Sequence, residues 1–196
     1  AMATGVKVNN GVISVRLPGD GAELPTLLEA HRDRARSTGL VTESYLTDAS
    51  PAAYGAHETS RSNSTAIFND FVSQSRPNVL LGGGGNGFNG ATASSQGYTV
   101  VTDRAALLGL DNETQTRIAG GFGSGAIPPP GTSGRSATLP NLSEMTGTAL
   151  KILDNDPDGF FLLVEEEAID EAAHANSALA LSLAMAEFSA AVQTVL

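Results

Sequence analysis

An acidic segment with one histidine follows a bulky apolar run near the end of the chain. Residues 160–164 are Phe, Leu and Val only, Glu165 ends the run, and Asp170 and His174 follow. Such a run is typical of a strand buried on both faces, and ligands bind at the carboxyl ends of such strands. On a helix, Asp170 and His174 share a face and could bind zinc. The same acids are also typical of a solvated first helical turn, so both interpretations stay open.

Glu165 differs from the acids that follow it because it comes directly after the apolar run. A carboxylate at that position must pair with a cation or bear a large desolvation cost, which makes it a candidate metal ligand. We expect its neighbours Glu166, Glu167 and Glu171 to be solvated.

A second polar group follows an earlier predicted strand, at residues 47–53 (Thr-Asp-Ala-Ser-Pro-Ala-Ala). The oxygen atoms of Asp48 and Ser50 suit a hard cation such as magnesium. An equally good interpretation makes Ser50 the N-cap of a helix whose first residue is Pro51. Arg61 carries a planar guanidinium that suits a phosphate or a carboxylate, although most arginines simply lie on the surface.

Two other catalytic or binding patterns are weak. Gly82, Gly84 and Gly87 satisfy G-x-G-x-x-G directly after a predicted strand, as in dinucleotide-binding sites. The residues that follow are poor helix formers, whereas that chemistry needs a helix N-terminus on the pyrophosphate, so a tight strand exit is favoured. The strained G-x-S-x-G turn of Ser-His-Asp hydrolases does not occur, which argues against that class.

Composition and net charge exclude several classes of partner and of metal site. With 196 residues, 41% of them hydrophobic, the chain can bury one sizeable core. Its net charge of −10 argues against nucleic-acid or anionic-membrane partners and repels anionic substrates unless bound cations reverse the local sign. Without cysteine, neither disulfides nor thiolate zinc sites are possible. We recognise no signal peptide and no apolar window approaching a membrane span of about 18 residues.

Helical and strand patterns alternate along the chain, which predicts an α/β fold with a mainly parallel sheet flanked by helices. The predicted helices are 23–39, 48–57, 64–75, 105–110, 139–155 and 177–196, and the predicted strands are 40–46, 77–85, 97–102 and 160–164. Residues 82–138 are rich in Gly, Ser and Pro. We interpret them as a loop-rich excursion from a single domain that spans 1–196.

Four ordered blocks of the sequence resemble bacterial alkaline phosphatases. Residues 3–11 resemble the segment just after that family's nucleophile, and residues 37–61 resemble its Thr-Asp-Ala-Thr-Pro-Ala-Ala segment, which closes with Ser-Arg. Residues 79–84 and 139–176 match the later blocks, and the resemblance is weak only across 85–138. It implies the layered α/β fold of that family.

The resemblance also implies roles for the metal-ligating candidates. Asp170 and His174 fall on two ligands of one zinc ion. Glu165 and Ser50 fall on ligands of the magnesium ion, with Ser50 replacing the more usual threonine and keeping its hydroxyl. Asp48 falls on an acid at the edge of the magnesium site.

By the same resemblance, Arg61 falls on the residue that clamps the substrate phosphate. The implied activity is hydrolysis of phosphate monoesters through a phosphoserine intermediate, with zinc and magnesium as cofactors. Glu166 and Glu167 replace glycine or other small residues of the family. We expect these two added carboxylates to alter phosphate approach or metal preference.

The resemblance places the rest of the catalytic centre outside residues 1–196. The nucleophilic serine is expected before Ala1 and further zinc ligands beyond both ends, which leaves the fold incomplete at both ends. We therefore expect this chain alone to be inactive and to bind magnesium only or no metal. The alternative is a non-catalytic metal- or phosphate-binding relic. An exposed sheet flank favours self-association, for example as a homodimer, and family practice implies a periplasmic or secreted location.

Overall fold

A parallel five-stranded β-sheet forms the centre of the protein in the computed structural model, which describes residues 1–196. Its strands in chain order are β1 (Ser37–Tyr45), β2 (Val79–Gly83), β3 (Thr99–Val101), β4 (Ile118–Phe122) and β5 (Phe160–Glu165). Their order across the sheet is β3-β4-β2-β1-β5, and every neighbouring pair is parallel. The predicted α/β fold with a parallel sheet is confirmed.

Helices cover both faces of this sheet. They are α1 (Leu27–Arg32), α2 (Ala49–Gly55), α3 (Ser64–Asp70), α4 (Gly90–Ser95), α5 (Arg104–Leu108), α6 (Leu142–Leu153), α7 (Ala168–His174) and α8 (Ala178–Val195). A π-helical turn, Phe71–Ser75, continues α3. The prediction of helices around 48–57, 64–75, 105–110, 139–155 and 177–196 is therefore confirmed in outline.

Neighbouring residues of β1 and β2 pack into different cores because successive side chains of a strand point to opposite faces. Leu40 and Leu80 belong to a buried cluster with α1, α2 and α3. Val41 and Leu81 belong to a second cluster with α6. The sheet therefore separates two apolar layers, and the α6 residues predicted to point inward are all buried: Leu142, Met145, Ala149, Ile152 and Leu153.

Two strand predictions need correction. Strand β5 is half-buried throughout rather than buried on both faces, because it lies at the edge of the sheet beside β1. The sequence analysis also did not predict β4, which is fully buried between β2 and β3. The Gly-rich segment 82–138 therefore contributes two of the five strands.

The first helix is shorter than predicted, and Gly39 does not close it. Helix α1 ends at Arg32, and Gly39 lies inside β1. A Cβ atom on Gly39 would lie 2.9 Å from Leu162 and 3.0 Å from Leu153. Glycine is present there because α6 and β5 pack closely against β1.

Helix α8 is long and apolar enough to cross a membrane, by length and composition alone. The sequence analysis found no such window, because serines and Glu187 interrupt the apolar run. In the structure α8 packs against α6 and α7 and buries Ala184, Glu187 and Ala191. Only 17% of this helix is buried, so it is not a core helix, and one helix of this kind is weak evidence for a membrane span.

The glycine run at the end of β2 allows the segment after β4 to pack closely against it. A Cβ atom on Gly84 would overlap the carbonyl oxygen of Gly123, and one on Gly83 would overlap that of Gly125. The next helix begins only at Gly90. The favoured interpretation of a tight strand exit therefore agrees with the structure.

We expect Gly84→Ala to lower the free energy of unfolding by about 2 kcal/mol or more, because backbone must move to accommodate the methyl group. Gly125→Ala is the matched control, since a Cβ atom there has nothing closer than the Tyr45 hydroxyl at 3.9 Å. Urea denaturation measures both. Equal stability of the two variants would contradict this explanation.

A buried histidine fastens α1 to the segment after α2. The Nε2 atom of His57 lies 3.2 Å from a carboxylate oxygen of Glu29, and its Nδ1 atom lies 3.0 Å from the carbonyl oxygen of Ser14. Burial alone lowers the pKa of His57, but these two acceptors outweigh it and raise the pKa above its ordinary value. Burial acts on Glu29 in the opposite sense, and its hydrogen bonds to His57 and Thr26 outweigh it and lower its pKa.

This pair makes stability depend on pH in a defined direction. Because the pKa of His57 is raised, its contribution to the free energy of unfolding is fully present below pH 6.5. This contribution is lost as the pH rises through the pKa of His57 in the folded protein. Because the pKa of Glu29 is lowered, its contribution is present above pH 4.5 and is lost as the pH falls. We expect His57→Gln to cost about 2 kcal/mol near pH 5.5 and less at pH 9, measured by urea denaturation. An equal cost at both pH values would refute the charged pair.

Candidate metal and phosphate site

The carboxyl ends of β1 and β5 lie side by side and form one wall of an open cleft. In the register of these parallel strands Thr42 stands opposite Glu165. The cleft has a volume of about 490 Å³. It is lined by Asp48, Ala49, Ser50, Arg61, Glu165, Glu166, Glu167, Ile169, Asp170 and Ala173. The structure thus brings together every predicted site residue except His174.

Two hydroxyl groups on β1 orient the acids of the cleft. Thr42 Oγ1 donates a hydrogen bond to Glu165 (2.8 Å), and Ser44 Oγ donates one to Asp48 (2.7 Å). The amide of Ser44 donates in turn to Thr42 Oγ1 (3.0 Å). Both side chains are buried, so the two carboxylates are held in fixed directions.

Asp48 is the N-cap of α2, a position that the sequence analysis assigned to Ser50. Its Oδ1 atom accepts the amide hydrogen of Ala49 (2.7 Å) and a hydrogen bond from Arg61. Burial raises the pKa of Asp48, but hydrogen bonds from Ser44, Ala49 and Arg61 outweigh it and hold the pKa below its ordinary value. Because Asp48 caps the helix, the hydroxyl of Ser50 is not used for capping.

Arg61 lies on the connection between α2 and α3, where its amide donates to the carbonyl oxygen of Gly11 (2.7 Å). Its side chain is half exposed at the mouth of the cleft and pairs with Asp48. A guanidinium carries five N–H donors, and this pair engages only one nitrogen. The remaining donors are available to an anion in the cleft.

The expectation that Glu166 and Glu167 are solvated is wrong for Glu166 and holds only in part for Glu167. Glu166 is buried, because its side chain turns away from solvent toward Glu43 and Glu187 on the α6–α8 side of the sheet. Glu167 is half-buried and lines the cleft. Its pKa rises to about 7 through burial and the nearby acids, of which Glu171 has the largest effect. Glu171 itself is exposed, as expected.

Asp170 and His174 share one face of α7, as their spacing predicts. Their Oδ2 and Nε2 atoms are 3.3 Å apart, and their side chains are 72% and 75% exposed. Asp170 lines the cleft and His174 lies outside its lining. The two residues therefore present a carboxylate and an imidazole next to each other at the rim.

The sequence analysis missed the two positioning residues Thr42 and Ser44. Their signal is visible in retrospect as two hydroxyl side chains at positions i and i+2 in a buried strand. That spacing directs both to one face of the sheet. Only the pairing with β5 shows that this face carries Glu165.

Comparison with known proteins identifies the family. The family model described as alkaline phosphatase matches residues 1–196. The chain belongs to the alkaline phosphatase family. Alkaline phosphatase 3 of Bacillus subtilis (strain 168) is 36% identical, with 97% of this chain and 42% of the relative covered. Streptomycin-6-phosphate phosphatase of Streptomyces griseus is 34% identical over 89% of this chain and 50% of the relative.

Solved alkaline phosphatases share the fold. The cold-active enzyme from Shewanella sp. superposes with a TM-score of 0.88 at 33% identity, covering 99% of this chain and 47% of that one. A variant of the alkaline phosphatase from the Antarctic bacterium TAB5, with magnesium bound in its M3 site, has a TM-score of 0.82 at 26% identity, covering 99% of this chain and 56% of that one. The chain therefore spans about half the length of these relatives or less.

A stability measurement tests which residue caps α2. We expect Asp48→Ala to lower the free energy of unfolding by about 1 kcal/mol in metal-free buffer, because α2 loses its cap. Asp48→Asn keeps a good cap and costs less, and Ser50→Ala changes stability by less than about 0.5 kcal/mol. If Ser50→Ala is the costly variant in urea denaturation, the assignment of the cap is wrong.

Proposed function

We propose that this member of the alkaline phosphatase family supplies the magnesium-binding and phosphate-binding part of a phosphomonoester hydrolase. The observation that carries the proposal is the cleft itself. It joins two oriented carboxylates, Asp48 and Glu165, to a guanidinium with free N–H donors. The hydrolysis step is ascribed to the whole protein.

The charge of the cleft supports a need for bound cations. Its lining contains five acids and one arginine, Arg61; the acids are Asp48, Glu165, Glu166, Glu167 and Asp170. A phosphate group entering this surface meets net repulsion unless bound cations reverse the local sign. Divalent ions held by these acids would supply that positive charge and would polarise the phosphoryl oxygens.

The donor atoms fit magnesium. Asp48, Ser50 and Glu165 offer only oxygen ligands, which magnesium prefers, and magnesium commonly needs just one or two carboxylates from the protein. Hydrogen bonds from Thr42 and Ser44 fix the two carboxylates in place. The relative from the bacterium TAB5 has magnesium bound in its M3 site, which supports magnesium as the cation of this cleft.

The pair Asp170 and His174 fits one side of a zinc site, because carboxylate oxygen and imidazole nitrogen are both usual zinc ligands. Two protein ligands are fewer than the three of a typical catalytic zinc site, so we propose that this chain binds zinc only at elevated concentration. The proposed substrates are phosphate monoesters, and inorganic phosphate is the simplest probe of the same site.

Titration calorimetry with magnesium chloride tests the metal assignment. We expect weak binding that Glu165→Gln abolishes and that Thr42→Val weakens about tenfold, because the supporting hydrogen bond is lost. The control Glu171→Gln removes an exposed acid of α7 outside the cleft lining and leaves binding unchanged.

The same titration with inorganic phosphate, in saturating magnesium, tests the role of Arg61. Arg61→Ala weakens phosphate binding at least about tenfold through loss of charge-assisted hydrogen bonds. Arg16→Ala, which removes an exposed arginine paired with Asp20, has no effect. Magnesium binding that survives Glu165→Gln, or phosphate binding that survives Arg61→Ala, would overturn the proposed function.

A further inference from the structure

Three glutamates converge on the α6–α8 side of the sheet, opposite the hydroxyls of Thr42 and Ser44. Glu43 lies between those two residues, in the part of β1 where the register with β2 shifts, and its side chain reaches the other face, where it lies 3.6 Å from Arg135. Glu166 reaches it from the end of β5 and Glu187 from α8. Each offers a carboxylate oxygen, and these oxygens lie within 4.8 Å of one another. All three residues are buried.

Four oxygen atoms of this cluster have no hydrogen-bond partner. They are both carboxylate oxygens of Glu43 and one each of Glu166 and Glu187. The second oxygen of Glu166 accepts the amide hydrogen of Ala168 (3.0 Å), and that of Glu187 accepts the amide hydrogen of Leu142 (2.9 Å). The side chain of Glu43 is only 1% exposed, so bulk solvent does not reach it. Buried polar atoms of this kind normally have a partner.

One arginine neutralises only part of the charge. Arg135 lies 3.6 Å from Glu43 and 3.7 Å from Glu187, beyond good hydrogen-bond distance. Its N–H groups donate instead to the carbonyl oxygens of Pro128 and Pro140 and to Asn141. Three ionised carboxylates and one guanidinium leave two negative charges in a buried space, which is very unfavourable.

We propose that Glu43, Glu166 and Glu187 bind one divalent cation of the size of calcium in a buried structural site. A charge of +2 balances the two remaining negative charges. Calcium binds oxygens at about 2.3–2.6 Å, so ligands on opposite sides of the ion lie about 5 Å apart, which fits the spacing of the cluster. Magnesium needs a tighter octahedron and keeps several waters, which suits a closed site less well.

The ion would join three parts of the chain that are distant in sequence. Glu43 lies on β1, Glu166 follows β5, and Glu187 lies on α8. Glu187 also accepts the amide hydrogen of Leu142, the first residue of α6. The site would therefore lock α6 and α8 onto the end of the sheet, behind the wall of the cleft.

Protonation of Glu43 is the alternative way to reduce the negative charge of this cluster. Burial and then Glu166 raise the pKa of Glu43 to about 11, so a proton on Glu43 would satisfy one oxygen without any metal. The two solutions differ in their response to calcium. A protonated cluster ignores calcium, whereas a cation site is stabilised by it.

Equilibrium dialysis and thermal unfolding with calcium chloride, after removal of metal with a chelator, decide between them. Glu165→Gln is the background, because it silences the proposed magnesium site. We expect the background protein, which carries Glu165→Gln, to bind one calcium ion per chain. Its Tm should rise by about 5–10 °C at a calcium concentration of about 100 times Kd. Adding Glu43→Gln abolishes the bound calcium and the shift in Tm.

Two further results bear on the proposal. The background protein shows no magnesium binding at concentrations that saturate it with calcium, and equal affinity for the two ions would overturn the assignment of ion size. If the background protein binds no calcium, the proposed site does not exist. This result is decisive even if the variant with Glu43→Gln does not fold. Calcium binding that survives Glu43→Gln likewise excludes this cluster as the ligand set.

Discussion

The parallel pairing of β1 with β5, with Thr42 opposite Glu165, is the constraint on which the rest of the structure depends. It sets two carboxyl strand ends side by side and gives Glu165 a hydrogen-bonding partner. In the same part of β1, where the register with β2 shifts, Thr42 and Ser44 bind the acids of the cleft and Glu43 meets the acids of the opposite face. A shift of one residue between β1 and β5 would separate Thr42 from Glu165 and Glu43 from Glu166, and so disrupt both acidic centres.

Both centres solve the same electrostatic problem in an acidic protein, with different access to solvent. The cleft is open, and its acids are offset by Arg61, half exposed at the mouth. The cluster of Glu43, Glu166 and Glu187 is closed, and Arg135 leaves part of its charge unbalanced. An open acidic site with a solvent-exposed counter-charge suits exchangeable ligands. A closed one suits an ion that stays in place.

Much of the fold could be predicted because local patterns determine it. Helix α6 follows from its apolar stripe, and β2 and β5 follow from apolar runs ended by glycine or by Glu165. Most of β1 follows from a run rich in strand-forming residues. Strand β4 could not be predicted, because its sequence Ile-Ala-Gly-Gly-Phe shows no alternation. Its glycines instead give room to the rings of Phe88 and Phe122.

The site was predictable where spacing alone places residues, and not where burial depends on distant partners. Asp170 and His174 share a face of α7 as their spacing requires. Glu166 was expected in solvent, since nothing nearby in the sequence indicates that Glu43 and Glu187 receive it on the other side of the sheet. The cap of α2 was assigned to Ser50, because proline at the next position is typical there. The structure starts that helix two residues earlier.

The most direct test of this arrangement is anomalous diffraction from crystals soaked in manganese, which accepts the same oxygen ligands as magnesium and calcium. The account predicts two separate peaks on opposite sides of β1. One lies within coordination distance of Glu165 on the side of Thr42, and the other lies among Glu43, Glu166 and Glu187. Manganese bound elsewhere, with neither position occupied, would contradict it.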